Sequence, residues 1–232
     1  MIINNTYFKG DIYLPHAKPG ITDSITDVEA KVLDFIDQYE AECLEECFGN
    51  RLALEFFSNL DDTEPTLIKS GADAKWDELL NGKAYTNPSG DEVVWKGIRR
   101  VTTSLGSANS LVYDKSFLAQ YVYFFYESNA HITRTNAGNA KIKSANAEMA
   151  THSQKSVKAW REFTKQVQGE TDKKPYFIKG GIFGGVGADY YTGGYGSEIS
   201  LYQFINDSNE LVEDTYENFE PKEWGRINQL SM

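Results

Sequence analysis

Hydrophobic residues recur every three or four positions over residues 25–48, which predicts a long amphipathic helix. Thr26 and Glu29 have the spacing of a capping box at its start, and Gly49 suits the position just beyond its end. Acidic side chains occupy most of the remaining positions, so one face should be buried and the other acidic. A second, short helix is predicted from Leu52 to Leu60. The apolar face of the first helix consists of Ile25, Val28, Val32, Phe35, Ile36, Tyr39, Cys43 and Cys47.

Shorter apolar clusters predict one more helix and a β-hairpin. Trp76, Leu79 and Leu80 indicate a short helix that stops at Asn81-Gly82. The turn sequence Asn87-Pro-Ser-Gly90 then separates two short alternating segments. This arrangement predicts a hairpin over about residues 83–98.

Two longer helices are predicted in the second half of the chain. From Phe117 to Ile132, with Asp114 as the N-cap, aromatic and apolar residues spread around much of the helix, so it should be central in the fold. Its apolar stretch of about ten residues is too short to cross a bilayer. Asn136 to Ala147 is small and polar and predicts a mobile loop. A final helix should run from about Glu148 to Gln168.

The two ends of the chain lack a helical pattern. Residues 1–20 contain Pro15, Pro19 and two glycines, which predicts an extended arm. Residues 180–196 contain eight glycines and three tyrosines, and a strand is predicted beyond them from the hydrophobic residues Ile199, Leu201, Tyr202 and Phe204. We expect this segment to become ordered against a neighbouring molecule, because an isolated strand or hairpin is marginally stable.

The predicted fold is mainly α, a helical bundle with a β-hairpin insertion and an extended, partly β C-terminal extension. The expected organisation is an N-terminal arm (1–20), a helical core (21–168) with the hairpin at about 83–98, and a C-terminal extension (169–232).

The composition indicates a folded, soluble chain. Its 232 residues, of which 41% are hydrophobic and 13% aromatic, are enough for one full core. The N-terminal sequence has neither the basic start nor the apolar run of a secretory signal, and no membrane-spanning stretch is visible. We therefore expect no membrane partner and synthesis in a reducing cytoplasm, where Cys43 and Cys47 would be small buried core residues.

Catalytic and metal-binding patterns are weak, so the sequence predicts a protein that is not an enzyme and has no cofactor. His16, His131 and His152 lie in separate segments without metal-site spacing. The acidic residues around Cys43 would raise the pKa of a thiol nucleophile. The run from Gly180 to Gly187 has no Gly-Lys-Ser/Thr ending and no helical pattern after it, so a flexible loop is favoured over a phosphate-binding one.

Charge is distributed unevenly along the chain, whose net charge is −11. Residues 21–64 hold thirteen acidic residues against Lys31 and Arg51, whereas residues 131–168 hold seven basic residues against Glu148 and Glu162. The basic segment has three readings: a solvated face, a DNA contact, or a contact with the acidic surface of an identical subunit. The last is favoured over DNA because the same chain supplies both signs.

Five segments, taken in order, carry a resemblance to a known family. The first is the acidic helix that ends in Cys47-Phe-Gly49, and the second is Trp76-Asp-Glu-Leu-Leu-Asn-Gly82, followed by Tyr85. The other three are Trp95-Lys-Gly-Ile98, the aromatic helix Leu118-Ala-Gln-Tyr-Val-Tyr-Phe-Phe125, and Val157-Lys-Ala-Trp160. This succession resembles the head-to-tail connector, or adaptor, proteins of tailed bacteriophages. The resemblance covers residues 20–168, about two-thirds of the chain. The N-terminal arm and the long C-terminal extension depart from the pattern of the small adaptors.

The resemblance implies a structural virion protein at the neck of the particle, made in the cytoplasm of the host bacterium. Its expected partners are further copies of itself in a ring of about twelve, the portal protein, and a downstream tail or stopper protein. DNA passing through the ring would be contacted without sequence specificity, which favours an acidic or neutral lumen. The residues expected at subunit or portal contacts are Arg134, Lys141, Lys143, Tyr190, Tyr191, Tyr202 and Phe204. The alternatives are another virion assembly or tail-completion protein, a peptide-binding module, and a nucleotide-binding enzyme that uses the Gly180–Gly187 loop.

Overall fold

The computed structural model describes residues 1–14, 27–103, 111–113, 116–130, 132–135, 138–141, 152–169 and 198–224. These ranges contain helices α1 (Asp27–Phe48), α2 (Asn50–Asn59), α3 (Ala74–Asn81), α4 (Phe117–Ala130), α5 (His152–Gln168) and α6 (Leu201–Leu211). They also contain strands β1 (Lys83–Thr86), β2 (Glu92–Trp95), β3 (Val101–Thr103), β4 (Leu111–Tyr113), β5 (Ile132–Thr135) and β6 (Gly138–Lys141). The prediction of a mainly helical fold with a hairpin is confirmed.

Helix α4 is the centre of the core, as the sequence predicts. All seven residues from Phe117 to Tyr123 are buried, which means that this part of the helix is covered on every side. The helix packs against both α1 and α5. Tyr121 illustrates the arrangement, since its ring lies 6.4 Å from that of Tyr39 on α1 and 5.1 Å from that of Phe163 on α5. The bundle is therefore built around α4, with α1 and α5 packed onto it.

The beginning of the chain belongs to the core, which corrects the prediction of an extended arm. Residues 1–14 form two short 3-10 turns, Asn5–Tyr7 and Gly10–Ile12. The segment packs against the bundle, and its apolar side chains are buried there. The buried residues are Ile2, Ile3, Tyr7, Phe8, Ile12 and Leu14. Residues 15–20 of the predicted arm, and the predicted caps Thr26 and Asp114, lie outside the described residues.

The predicted hairpin is formed by β1 and β2, which pair antiparallel with Tyr85 opposite Val93. Val93 and Trp95 anchor it, since both are buried and the Trp95 indole Nε1 donates to the carbonyl oxygen of Leu79 at 3.0 Å. At its base the chain leaving α3 crosses the chain leaving β2. The crossing is so close that a Cβ atom added to Gly97 would lie 2.4 Å from the carbonyl carbon of Asn81.

Two further ribbons were not predicted. Strands β3 and β4 pair antiparallel, as do β5 and β6, and within the described residues each ribbon has only two strands. The β5–β6 ribbon overlaps the segment that was predicted as a loop, Asn136 to Ala147. Its sequence is polar and lacks the alternating apolar pattern of a strand, so only backbone pairing distinguishes it from a loop.

The predicted strand near residue 200 is wrong, because residues 201–211 form helix α6. The Ser200 side chain caps the helix by accepting a hydrogen bond from the Gln203 amide at 3.3 Å. Leu201, Phe204 and Ile205 are buried. Their spacing of three and four is that of one helical face, and this spacing prevails over the strand preference of the aromatic residues.

Candidate functional site

Helix α1 presents an acidic face to solvent. Its inner side contributes buried residues such as Val32, Ile36 and Cys43 to the core. Because a helix repeats every 3.6 residues, the polar positions between them point outward together. The exposed acidic residues of this face are Asp34, Asp37, Glu42 and Glu45.

Helix α5 presents a basic face. Trp160 points into the core, whereas Lys155, Lys158 and Arg161 are exposed and follow one another at intervals of three residues. Lys158 pairs with Asp11 at 2.9 Å, and both side chains are more than half exposed, so the pair adds little stability. Helices α1 and α5 both pack on α4, so their outward faces are two separate surfaces. The α1 face is acidic and the α5 face is basic.

The two cysteines have a structural role. Cys43 and Cys47 are free and fully buried. Burial, followed by the hydrogen bond and charge of Cys47 and the charges of Glu40 and Glu42, raises the pKa of the Cys43 thiol well above its ordinary value. A nucleophile must be a thiolate, so this environment disfavours thiol catalysis.

Buried carboxylates of α1 hold the beginning of the chain in place. Glu40 accepts hydrogen bonds from the backbone amides of Ile2, at 2.8 Å, and Ile3, at 2.9 Å. Farther along, Asn5 Nδ2 donates to Glu29 Oε1 at 2.9 Å. Burial raises the pKa of Glu40, although the two amides oppose the shift. These carboxylates are used within the chain to fix the N-terminal segment, which gives them a structural role.

Another polar contact joins the β1–β2 hairpin to α6. Tyr85 donates to Asp207 at 2.8 Å, and burial raises the pKa of both groups. A phenol with a raised pKa stays protonated at neutral pH and cannot act as a base. Across the described ranges, no three His, Cys, Asp or Glu side chains are grouped to hold a metal ion. In the same part of the chain, no helix has the length and apolar composition needed to span a bilayer.

The end of the described chain folds back over α1, and we call residues 217–224 the strap. Its backbone caps the end of the helix: the amide of Glu220 donates to the carbonyl oxygen of Phe48 at 3.0 Å, and that of Lys222 to the carbonyl oxygen of Glu46 at 3.2 Å. These carbonyls lie in the last turn, where intrahelical partners are missing. A Cβ atom on Gly49 would lie 2.9 Å from Glu220 Cβ, so the strap passes directly over a position without a side chain.

Trp224 anchors the strap in an aromatic groove. Its ring centroid lies 4.9 Å from that of Phe163, 5.6 Å from Trp160 and 5.9 Å from Tyr121. The Gln168 side chain holds the Trp224 backbone, donating to its carbonyl oxygen at 3.0 Å and accepting from its amide at 3.1 Å. The groove is thus formed by helices α4 and α5 and filled by the strap.

An acidic cavity of about 350 Å³ lies beside the contact between the strap and the end of α1. It is lined by Glu42, Glu45, Glu46, Asn50, Glu220 and Lys222. Lys222 pairs with Glu46 and lies 4.9 Å from the centroid of the Trp224 ring. Four carboxylates therefore share the space with one ammonium group.

The structure describes four of the seven residues that the sequence predicted at subunit contacts. Arg134 lies on β5, paired with Asn139, and Lys141 ends β6, paired with Ile132. Lys143, Tyr190 and Tyr191 lie outside the described residues, as does the Gly180–Gly187 loop.

The other two predicted residues, Tyr202 and Phe204, lie on α6. Phe204 is 1% exposed and stacks on Trp95 at 5.6 Å, so its ring is used within the chain. The Tyr202 hydroxyl donates to the carbonyl oxygen of Lys222 at 2.7 Å and accepts from Trp224 Nε1 at 3.1 Å. Tyr202 therefore supports the strap, a part of the sequence that is acidic and whose aromatic residues are Phe219 and Trp224.

No family model, curated protein or solved structure matches this chain.

Proposed function

We propose that this chain is a structural virion protein, a head-to-tail connector that forms a ring between the portal and the tail of a tailed bacteriophage. The observation that carries the proposal is the pair of oppositely charged faces on α1 and α5. A patch that meets a different patch on the next copy makes a heterologous contact, and heterologous contacts close into rings when the rotation between copies allows it. Opposite charge favours this pairing and disfavours contacts between like faces.

The two-stranded ribbons also support assembly. A ribbon of two strands is marginally stable alone and presents hydrogen-bonding groups along its outer edges. Arg134 and Lys141 place two basic residues on the β5–β6 ribbon. Under the proposal, this ribbon and the α5 face together meet the acidic face of the adjacent copy.

The remaining parts of the proposal follow from the resemblance to connector proteins. The ring would contain about twelve copies and would contact the portal on one side and a tail or stopper protein on the other. Its place is the neck of the virion, after synthesis in the host cytoplasm. The net charge of −11 is consistent with an acidic or neutral lumen through which DNA slides without being held.

Electron microscopy of the purified protein, alone and with extracts of phage particles, tests the proposal. We expect ring-shaped particles or association with portal complexes. Particles the size of a single chain under both conditions would overturn it. Another virion assembly or tail-completion protein would associate with particles without forming rings, and a nucleotide-binding enzyme would show a nucleotide-dependent rise in melting temperature.

Charge reversal tests the proposed contact itself. Lys155→Glu combined with Arg161→Glu should abolish ring formation, because it places like charges on both sides of the interface. Lys31→Glu combined with Arg51→Glu changes the net charge equally but acts on exposed positions of α1 and α2, and it should leave rings intact. Equal loss of rings in both variants would show that total charge, not the α5 face, controls assembly.

A further inference from the structure

The strap carries the same sign of charge as the surface it covers. It contains Glu217, Glu220 and Glu223 against Lys222, and Glu220 and Lys222 line a cavity together with Glu42, Glu45 and Glu46 of α1. Carboxylates that line the same cavity repel one another, and the repulsion is strongest when dissolved salt is scarce. The Lys222–Glu46 pair opposes this repulsion, but it is one pair among four carboxylates around the cavity.

The strap has a natural hinge and a fixed root. Tyr216, just before it, is 1% exposed and donates through its hydroxyl to the carbonyl oxygen of Lys75 at 2.7 Å. Asn218 has a φ angle of +62°, a left-handed conformation that permits a sharp change of direction. Beyond it, the strap is held by its two amide bonds to α1, by Phe219 against Tyr202 at 5.5 Å, and by its final tryptophan.

We propose that the strap is a latch whose docking on α1 is controlled by ionic strength: it is released when salt is low, which uncovers the groove that Trp224 fills, and it closes when cations screen the carboxylates. The aromatic contacts and backbone hydrogen bonds that hold the strap depend little on salt. The repulsion between the carboxylates that line the cavity is screened as the salt concentration rises. The hinge at Asn218 confines the opening to the strap and leaves Tyr216 in place. This inference is independent of the proposed function.

Hydrogen exchange of the full chain tests the latch. The amides of Glu220 and Lys222, which bond to α1, report its closure. The amide of Ile98, which donates to Leu79 at 3.2 Å in the core, is the internal reference. Between about 0.01 M and 1 M NaCl, where the screening length falls from about 30 Å to about 3 Å, we expect the protection of the two strap amides to rise several-fold relative to Ile98. Unchanged or reduced protection would overturn the proposal.

Two glycine variants separate release of the strap from general destabilisation. Gly49→Ala places a methyl group against Glu220 and should lower the protection of the strap amides about tenfold or more. Gly71→Ala is the control, since Gly71 has a similar φ angle, +87° against +83°, and nothing within 4 Å of the added Cβ. It should leave the strap amides unchanged. Protection retained in Gly49→Ala, or lost equally in both variants, would contradict the proposed docking.

The sign of the electrostatic effect is tested by Lys222→Gln. Removal of the one cation at the cavity should open the latch further at low salt and steepen its response to NaCl. Strap amides that keep the same protection at low salt and the same response to NaCl in this variant would show that the carboxylates do not oppose docking, and would refute the latch.

Discussion

The crossing at the base of the β1–β2 hairpin should be the position most sensitive to a single added methyl group. Gly97 has a φ angle of +78°, which costs alanine about 1–2 kcal/mol. Its Cβ would also lie 2.4 Å from the carbonyl carbon of Asn81 and 2.6 Å from the amide nitrogen of Gly82. Carbon contacts are normally about 3.5 Å or longer, so one of the two backbone segments must move by roughly 1 Å.

That movement would strain the contacts that join α3 to the hairpin. The amides of Ile98 and Arg99 donate to Leu79 and Leu80 at 3.2 and 3.1 Å. Overpacking of this kind costs about 1–3 kcal/mol. Added to the conformational cost, it gives a predicted loss of about 2–5 kcal/mol in the free energy of unfolding for Gly97→Ala.

Gly90→Ala is the matched control. Gly90 has a φ angle of +87° but nothing within 4 Å of an added Cβ, so it should lose only about 1–2 kcal/mol. Urea unfolding followed by circular dichroism measures both variants. Equal losses would refute the steric argument. Gly82→Ala should behave like Gly97→Ala, and the double variant should lose less than the sum, because both methyl groups push the same two segments apart.

Three further predictions concern buried or partly buried groups, and all can be measured by urea unfolding. Glu40→Ala should lower the free energy of unfolding by about 2–4 kcal/mol, because it removes the acceptor of two buried amides. Glu40→Gln should lower it less, since it keeps one acceptor oxygen and removes a buried charge. A larger loss for Glu40→Gln than for Glu40→Ala would contradict the assigned role. For Glu198, burial alone would raise the pKa, but Arg100 and Lys96 lower it below its ordinary 4.5. The stability that this group contributes is therefore present above pH 4.5 and lost as the pH falls through its lowered folded-state pKa. Glu198→Gln should abolish that loss. If the free energy of unfolding of the variant fell at acid pH as it does in the original protein, the assignment to Glu198 would be wrong. Phe204→Ala should cost about 3–5 kcal/mol as a core truncation, and a loss under about 1 kcal/mol would show that its ring is not buried.

The sequence predicted the elements whose signals are local. Periodicity and Gly49 indicated α1 and its end, and the Asn87–Gly90 turn indicated the hairpin. These signals succeed because a helical face or a tight turn depends on residues close together in the chain. The β5–β6 ribbon gave no such signal, since its strands are too short and polar to show alternation.

The candidate functional surfaces were harder to predict because they depend partly on distant residues. The α1 and α5 faces followed from helical spacing, but the strap is defined by Glu220 over Gly49 and by Trp224 in its groove, contacts between residues more than 50 positions apart. The misassignment of α6 had a different cause. There, aromatic residues outweighed a spacing that was already helical, and Phe204 was placed at a surface instead of in the core.

The packing of residues 1–14 has a consequence for how the protein is made on the ribosome. This segment leaves the exit tunnel before every group that holds it: Glu40 follows Ile2 by 38 residues, and the backbone oxygen of Arg99, which accepts from the Tyr7 hydroxyl at 2.8 Å, follows Tyr7 by 92. Residues 1–14 therefore cannot complete these contacts until the chain has been synthesised at least as far as Arg99.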